Sequence, residues 1–226
     1  MQRRALVADA EQIVGAADGA IACFSSRSFP FSRNADRAPQ LKAVVILLPL
    51  MLQPEPIGRN DVSERDLFLL GAPRISDVPS ALSLPSKYFG VLLACNARNI
   101  EDAVVLNLAR SLVTNGMKYF CSWGSDCERV HDLVDSVIIE NDETEDSVII
   151  TMWFEEKSLD EALWQFLYVA FPANNYEADC QADLAIVIGN SEWEEQIKKR
   201  LSDLDGLNQD VVGEDEEEDG GAEAAI

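Results

Sequence analysis

Positive charge is what this 226-residue chain has least of: 18 lysines and arginines stand against 40 aspartates and glutamates, a net charge of −22. Surfaces that grip nucleic acid or anionic lipid do so by neutralising phosphates with Lys and Arg, so neither partner is expected. There is no run of about eighteen apolar residues, which excludes a membrane-spanning helix. A single histidine and no Gly-x-Ser-x-Gly elbow leave no material for a Ser-His-Asp triad. Neither Gly-x-Gly-x-x-Gly nor a Walker loop occurs, so the usual cradles for dinucleotides and nucleoside triphosphates are missing. Five cysteines without regular spacing do not form the framework of a secreted disulfide protein.

What remains is ordinary globular material, 47% hydrophobic, with its charge unevenly placed. Residues 1–56 hold six bases and five acids; the rest of the chain holds twelve and thirty-five. The expected organisation is a poorly ordered extension over residues 1–40, one domain over 41–205, and a disordered acidic tail over 206–226. The tail contains six consecutive acids from Glu214 to Asp219. Met51 is a second candidate start.

Between the ends the hydrophobic period alternates. Short apolar runs at Val44–Leu48, Leu67–Leu70, Phe89–Cys95, Met117–Cys121, Val148–Phe154 and Leu184–Ile188 suit buried strands. Val137–Ile139 fits either a strand or a helix end. Helical stripes follow the last four runs: Val104/Val105/Leu108/Leu112, Val130/Leu133/Val134/Val137, Leu159/Leu163/Phe166/Leu167, and Trp193/Ile197/Leu201/Leu204. Four strand-then-helix units predict an α/β three-layer sandwich with a mostly parallel sheet, Rossmann-like or flavodoxin-like, without a phosphate-binding loop. Helix starts are expected at Asn99-x-x-Asp102, Ser125-x-x-Glu128, Ser158-x-x-Glu161 and Ser191-x-x-Glu194, the last three being capping boxes.

Those starts would lie at the carboxyl ends of the strands, where such sheets bind ligands. Here they carry carboxylates, which occupy the free N–H groups and repel a second anion, so nucleotide and flavin cofactors are disfavoured and none is predicted. An acidic rim could hold a divalent cation, but no Asp-x-Asp or EF-hand spacing supports one.

One segment concentrates reactive side chains: Cys121-Ser-Trp-Gly-Ser-Asp-Cys127-Glu-Arg-Val-His131-Asp132. Cys127 falls in a first helical turn, where a thiolate is stabilised, and His131 lies four residues on along the same face. A catalytic reading pairs Cys127 with His131 as base and Asp132 or Asp135 as orienter. A metal reading makes Cys121, Cys127 and His131 ligands for zinc, although Cys-x5-Cys-x3-His matches no common zinc motif. The plain alternative has half-buried thiols, a histidine bonded to a carboxylate, and Glu128 as a cap. Cys95 would approach Cys121 if their strands are neighbours. Further along, Trp164, Tyr168 and Phe171 form a second aromatic stripe, either buried between helices or open to a protein partner or a second copy of the chain.

From about Lys87 to Leu201 the chain resembles an uncharacterised bacterial family of small α/β domains of unknown function. The likeness rests on Cys121–Asp132, Thr151-Met-Trp153 and Leu159-Asp-Glu-Ala-Leu-Trp164. The resemblance implies one compact domain and a bacterial, cytoplasmic origin, and carries no activity. The leading expectation is a non-catalytic protein-interaction module using Trp164 and Tyr168. The second is a thiol-dependent enzyme or a redox or metal site on Cys121, Cys127 and His131; whether the chain is an enzyme stays open at this point.

Overall fold

The structure, a computed structural model, describes residues 52–141 and 148–220. The extension over 1–40, the run Val44–Leu48, Met51 and residues 221–226 of the tail lie outside the described residues. In chain order the elements are β1 (Glu55–Asn60), β2 (Arg65–Ala72), β3 (Tyr88–Ala94), α1 (Asp102–Asn115), β4 (Met117–Trp123), α2 (Cys127–Asn141), β5 (Ile150–Phe154), α3 (Leu159–Tyr168), β6 (Cys180–Ile188), α4 (Ser191–Leu201) and α5 (Leu204–Gly220).

The strands form one six-stranded sheet in the order β1-β2-β6-β3-β4-β5. All pairings are parallel except β1 with β2. The α/β layering and the mostly parallel sheet agree with the expectation. The antiparallel β1 is an addition, because Glu-Pro-Ile-Gly-Arg-Asn shows no apolar run; the hairpin forms by capping the outer edge of β2. Its order is neither the 3-2-1-4-5-6 nor the 2-1-3-4-5 arrangement that defines the two named doubly wound folds.

Successive residues of a strand point to opposite faces, and here both faces are buried. Phe68, Leu70, Val91, Leu93, Phe120, Leu184 and Ile186 pack under α1 and α2. Leu67, Leu69, Leu92, Cys121, Ala185 and Val187 pack under α3, α4 and α5. The segment Val137–Ile139 belongs to α2.

Two expectations about local structure need correction. The chain does not leave the domain at residue 205: α5 continues it, with Leu207 and Val211 buried on the α3 face. Leu204, Leu207 and Val211 form a helical i, i+3, i+7 stripe, which the run of acids beyond it obscures. Of the four expected helix starts, only the Ser158 box forms. There the Ser158 hydroxyl accepts from the Glu161 N–H (3.2 Å), and the Glu161 carboxylate accepts from the Ser158 N–H (2.7 Å). α4 is capped one residue earlier, by Asn190 accepting from the N–H groups of Glu192 and Trp193. α1 starts after Glu101 without a side-chain cap, and α2 after Asp126, whose φ is 65°. Arg129 holds both of those starts. It reaches from α2 to the Ala97 carbonyl (2.6 Å) and to the carboxylates of Asp102 (2.5 Å) and Asp126 (2.7 Å), overriding the local signal.

Candidate functional site

The reactive segment spans the end of β4, the turn and the start of α2, but its side chains do not converge. Cys121 points into the α3 side of the sheet, while Cys95, just past the end of the neighbouring β3, packs on the α1–α2 side; adjacent strands have not brought these thiols together. Cys127 is buried, and its carbonyl accepts from the Ser122 hydroxyl at 2.9 Å. His131 is nearly buried, its ring 4.6 Å from that of Trp153. Its Nδ1 lies 3.1 Å from Asp132 and its Nε2 3.6 Å from Asp135, which accepts from the Thr151 hydroxyl at 2.7 Å.

Both ring nitrogens therefore face carboxylates, and neither faces the Cys127 thiol. Burial pushes that thiol up from its ordinary range, against the backbone N–H groups of Cys127 and Glu128 at the helix start. Cys95 and Cys180 are pushed up to about 12 by burial, and Cys121 is raised as well. The catalytic reading of Cys127, His131 and Asp132 thus finds a histidine–carboxylate pair without an activated nucleophile. For the zinc reading of Cys121, Cys127 and His131, among the described residues no three His, Cys, Asp or Glu side chains are grouped as they would be around a metal ion.

The aromatic stripe is also occupied. Trp164 and Tyr168 stack at 5.7 Å, and the Trp164 indole N–H donates to Asn208 of α5 at 2.9 Å. Both rings pack against the α3–α5 core. Of the two accounts the stripe allowed, burial between helices is the one the packing fits: α5, in the segment expected to be a disordered tail, lies over Trp164 and Tyr168 and leaves both half-buried. Phe171 lies beyond the end of α3 and is exposed, stacked on the Arg65 guanidinium at 5.2 Å.

That arginine belongs to a buried polar unit the sequence reading did not anticipate. Across the sheet, Tyr119 of β4, Gly90 of β3 and Asp183 of β6 lie level in register. The Tyr119 side chain crosses β3 at Gly90, where a Cβ would collide with its ring, and its hydroxyl donates to Asp183. Arg65 of β2 donates to the same hydroxyl at 2.9 Å and lies 3.9 Å from Asp183. All three are buried, and the second Asp183 oxygen has no hydrogen-bond partner. Burial pushes the Asp183 carboxyl up to about 6, with Arg65 and the Tyr119 hydroxyl opposing. The signal available in the sequence was Gly90 inside an apolar strand run, which marks a close approach.

At the carboxyl end of the sheet, β3 sends its helix to one face and β6 sends α4 to the other, so the β3–β6 boundary is the topological switch point. A depression of about 480 Å³ opens there, lined by Ile75, Asn96, Asn99, Ile100 and Gly189 among others. A second cleft of about 410 Å³ lies across β4 and β5, between Arg98, Trp123, Glu155, Lys157 and Trp193.

Fold and site together define a three-layer α/β domain with a mixed, mostly parallel sheet and open clefts at its carboxyl edge. The chain belongs to the family described as a domain of unknown function, DUF7684, whose match covers residues 73–204. No curated protein matches it. Among the described residues no helix is long and apolar enough to cross a membrane.

Proposed function

We propose that this domain is a non-catalytic, cytoplasmic protein-interaction module that captures an extended basic segment of a partner along β5. The observation that carries the reading is the outer edge of β5. That strand ends the sheet and pairs only with β4 among the described residues, leaving backbone donors and acceptors on its far side. Apolar surface lies open along it: Val148 is 47% exposed, Ile150 37% and Trp153 45%. An exposed strand edge with side-chain anchors is the geometry of β-strand addition. The occupant's charge follows from the surroundings. Asp132, beside the His131 ring that meets Trp153, and Glu156, two residues past the strand, are exposed in a chain of net charge −22, which favours a lysine- or arginine-bearing strand and repels a second copy. The buried, raised thiols support a role without nucleophilic chemistry, and the four free cysteines among the described residues suit a reducing compartment.

The test is fluorescence anisotropy with a labelled, end-blocked peptide alternating lysine and valine, beside its glutamate–valine counterpart. Saturable binding of the lysine peptide is expected, weakening with salt and falling about tenfold or more in Trp153→Ala. Equal binding of both peptides, or binding untouched by Trp153→Ala, would overturn the reading. Concentration-dependent self-association abolished by the same substitution would replace the basic partner with a second copy.

A further inference from the structure

The cleft across the carboxyl ends of β4 and β5 has a charge arrangement that the β5 edge does not use. Its floor is aromatic: Trp123 and Trp193 meet edge to face, with centroids 4.9 Å apart and planes at 74°. The Trp123 indole N–H donates to the Lys157 carbonyl at 2.8 Å, which fixes that ring in place. Two of the charged side chains around it are engaged elsewhere. Asp126 accepts from Arg129 (2.7 Å) and Lys157 donates to Glu161 (3.0 Å).

The other two are Arg98, on the β3–α1 loop, and Glu155, just after β5. Both are exposed, and neither forms an ion pair or side-chain hydrogen bond among the described residues. They follow strands two places apart in the sheet, with β4 between those strands. A cation and an anion therefore border one cleft in which two indoles lie among polar groups, and they form no ion pair with each other.

We propose that this cleft binds a small zwitterion with an apolar side chain, of the amino-acid or dipeptide class. The ligand's carboxylate meets Arg98, its ammonium meets Glu155, and its side chain lies on Trp123 and Trp193. The volume, about 410 Å³, is within the range of small-molecule pockets. A guanidinium–carboxylate contact is charge-assisted and directional, which fixes the ligand's polarity in the cleft. A phosphorylated ligand is disfavoured there, because Glu155 and Asp126 face the same space.

Isothermal titration of the full chain with L-phenylalanine and with leucyl-phenylalanine tests this, using phenylacetate and phenethylamine as probes that each lack one charge. Saturable binding of at least one zwitterion is expected, with both single-charge probes about tenfold weaker or worse. Arg98→Gln and Glu155→Gln should each weaken the zwitterion by a similar factor while melting like the parent, since both side chains are exposed and unbonded. A failure of every probe to saturate would overturn the proposal. So would equal affinity for the zwitterion and phenylacetate, or affinity unchanged in both variants. Trp153→Ala, which disables the β5 edge, should leave this binding intact, so the two readings fail separately.

Discussion

The two faces of the sheet are buried to the same degree by different means. Under α1 and α2 the sheet contributes aliphatic side chains, phenylalanine, methionine, one thiol and the Ser122 hydroxyl, whose single neutral bond goes to the Cys127 carbonyl, so the main requirement of that core is volume. Under α3, α4 and α5 the apolar packing is interrupted by Arg65, Tyr119 and Asp183, joined in one chain of contacts across β2, β6, β3 and β4. At its apolar positions, a face without buried charge tolerates replacement by hydrophobic side chains of similar size. A face containing a buried charge ties specific positions to one another: Arg65 needs Asp183, Tyr119 bridges them, and Gly90 must lack a side chain for the bridge to cross.

The sharpest way to break that comparison is to make one substitution of similar volume on each face. Arg65→Met leaves a buried carboxylate without its cation and should cost about 3–5 kcal/mol. Leu93→Met on the opposite face should cost less than about 1.5 kcal/mol. Adding Asp183→Asn to Arg65→Met should recover most of the loss, because the amide oxygen still accepts from Tyr119 and no charge remains buried. Urea unfolding of the parent and the three variants measures all of these. Equal losses on the two faces, or no recovery in the double variant, would show that the polar unit is merely packed.

A second effect, about 3 kcal/mol at most, comes from pH. Asp183 is pushed up to about 6 in the fold, against roughly 3.9 when exposed. Between those values the native state binds the proton and the unfolded state does not, so this group's contribution is full below pH 4 and is lost as pH rises through 6. Half-buried Asp77, held low by Arg74, and Glu161, held low by the Ser158 N–H, act in the opposite sense. The clean measurement is therefore a difference. Relative to Asp183→Asn, the parent should gain stability as pH falls from 7 to 4, and a flat difference would show that Asp183 titrates at its ordinary value.

How much of this could be read in the sequence depends on whether a feature is local. Leu67–Leu70, Phe89–Cys95, Met117–Cys121 and Leu184–Ile188 are strands because an apolar run of that length has few other ways to be buried. Three of the four expected caps missed because Arg129 and Asn190 settle those starts through contacts the local pattern does not contain. The Cys127–His131 pair shares a helix face, yet the ring turns to Asp132 and Asp135 because those carboxylates lie within its reach. The buried unit is invisible residue by residue. Arg65, Tyr119 and Asp183 are far apart in the chain, and only the strand order brings them level. Trp164 and Tyr168 were identifiable as a stripe, but what covers them was hidden in a segment whose acids suggested disorder.

That covering contact gives the smallest expected effect and the finest division of the α3–α5 face. α5 is held at one end by Leu207 and Val211 in the core and along its side by the bond from Trp164 to Asn208. Asn208→Ala removes a partly exposed neutral bond and should cost about 1 kcal/mol or less. The loss should be local, because the buried leucine and valine remain. Amide exchange in α5 should accelerate several-fold while exchange in β3 and β6 stays at the rate set by global unfolding. If β3 and β6 accelerate equally, α5 opens only with the whole domain, and its docking is as integral as the buried polar unit beneath it. If α5 alone responds, the face divides into a cooperative interior and a separable cover, and Trp164 and Tyr168 become available whenever that cover lifts.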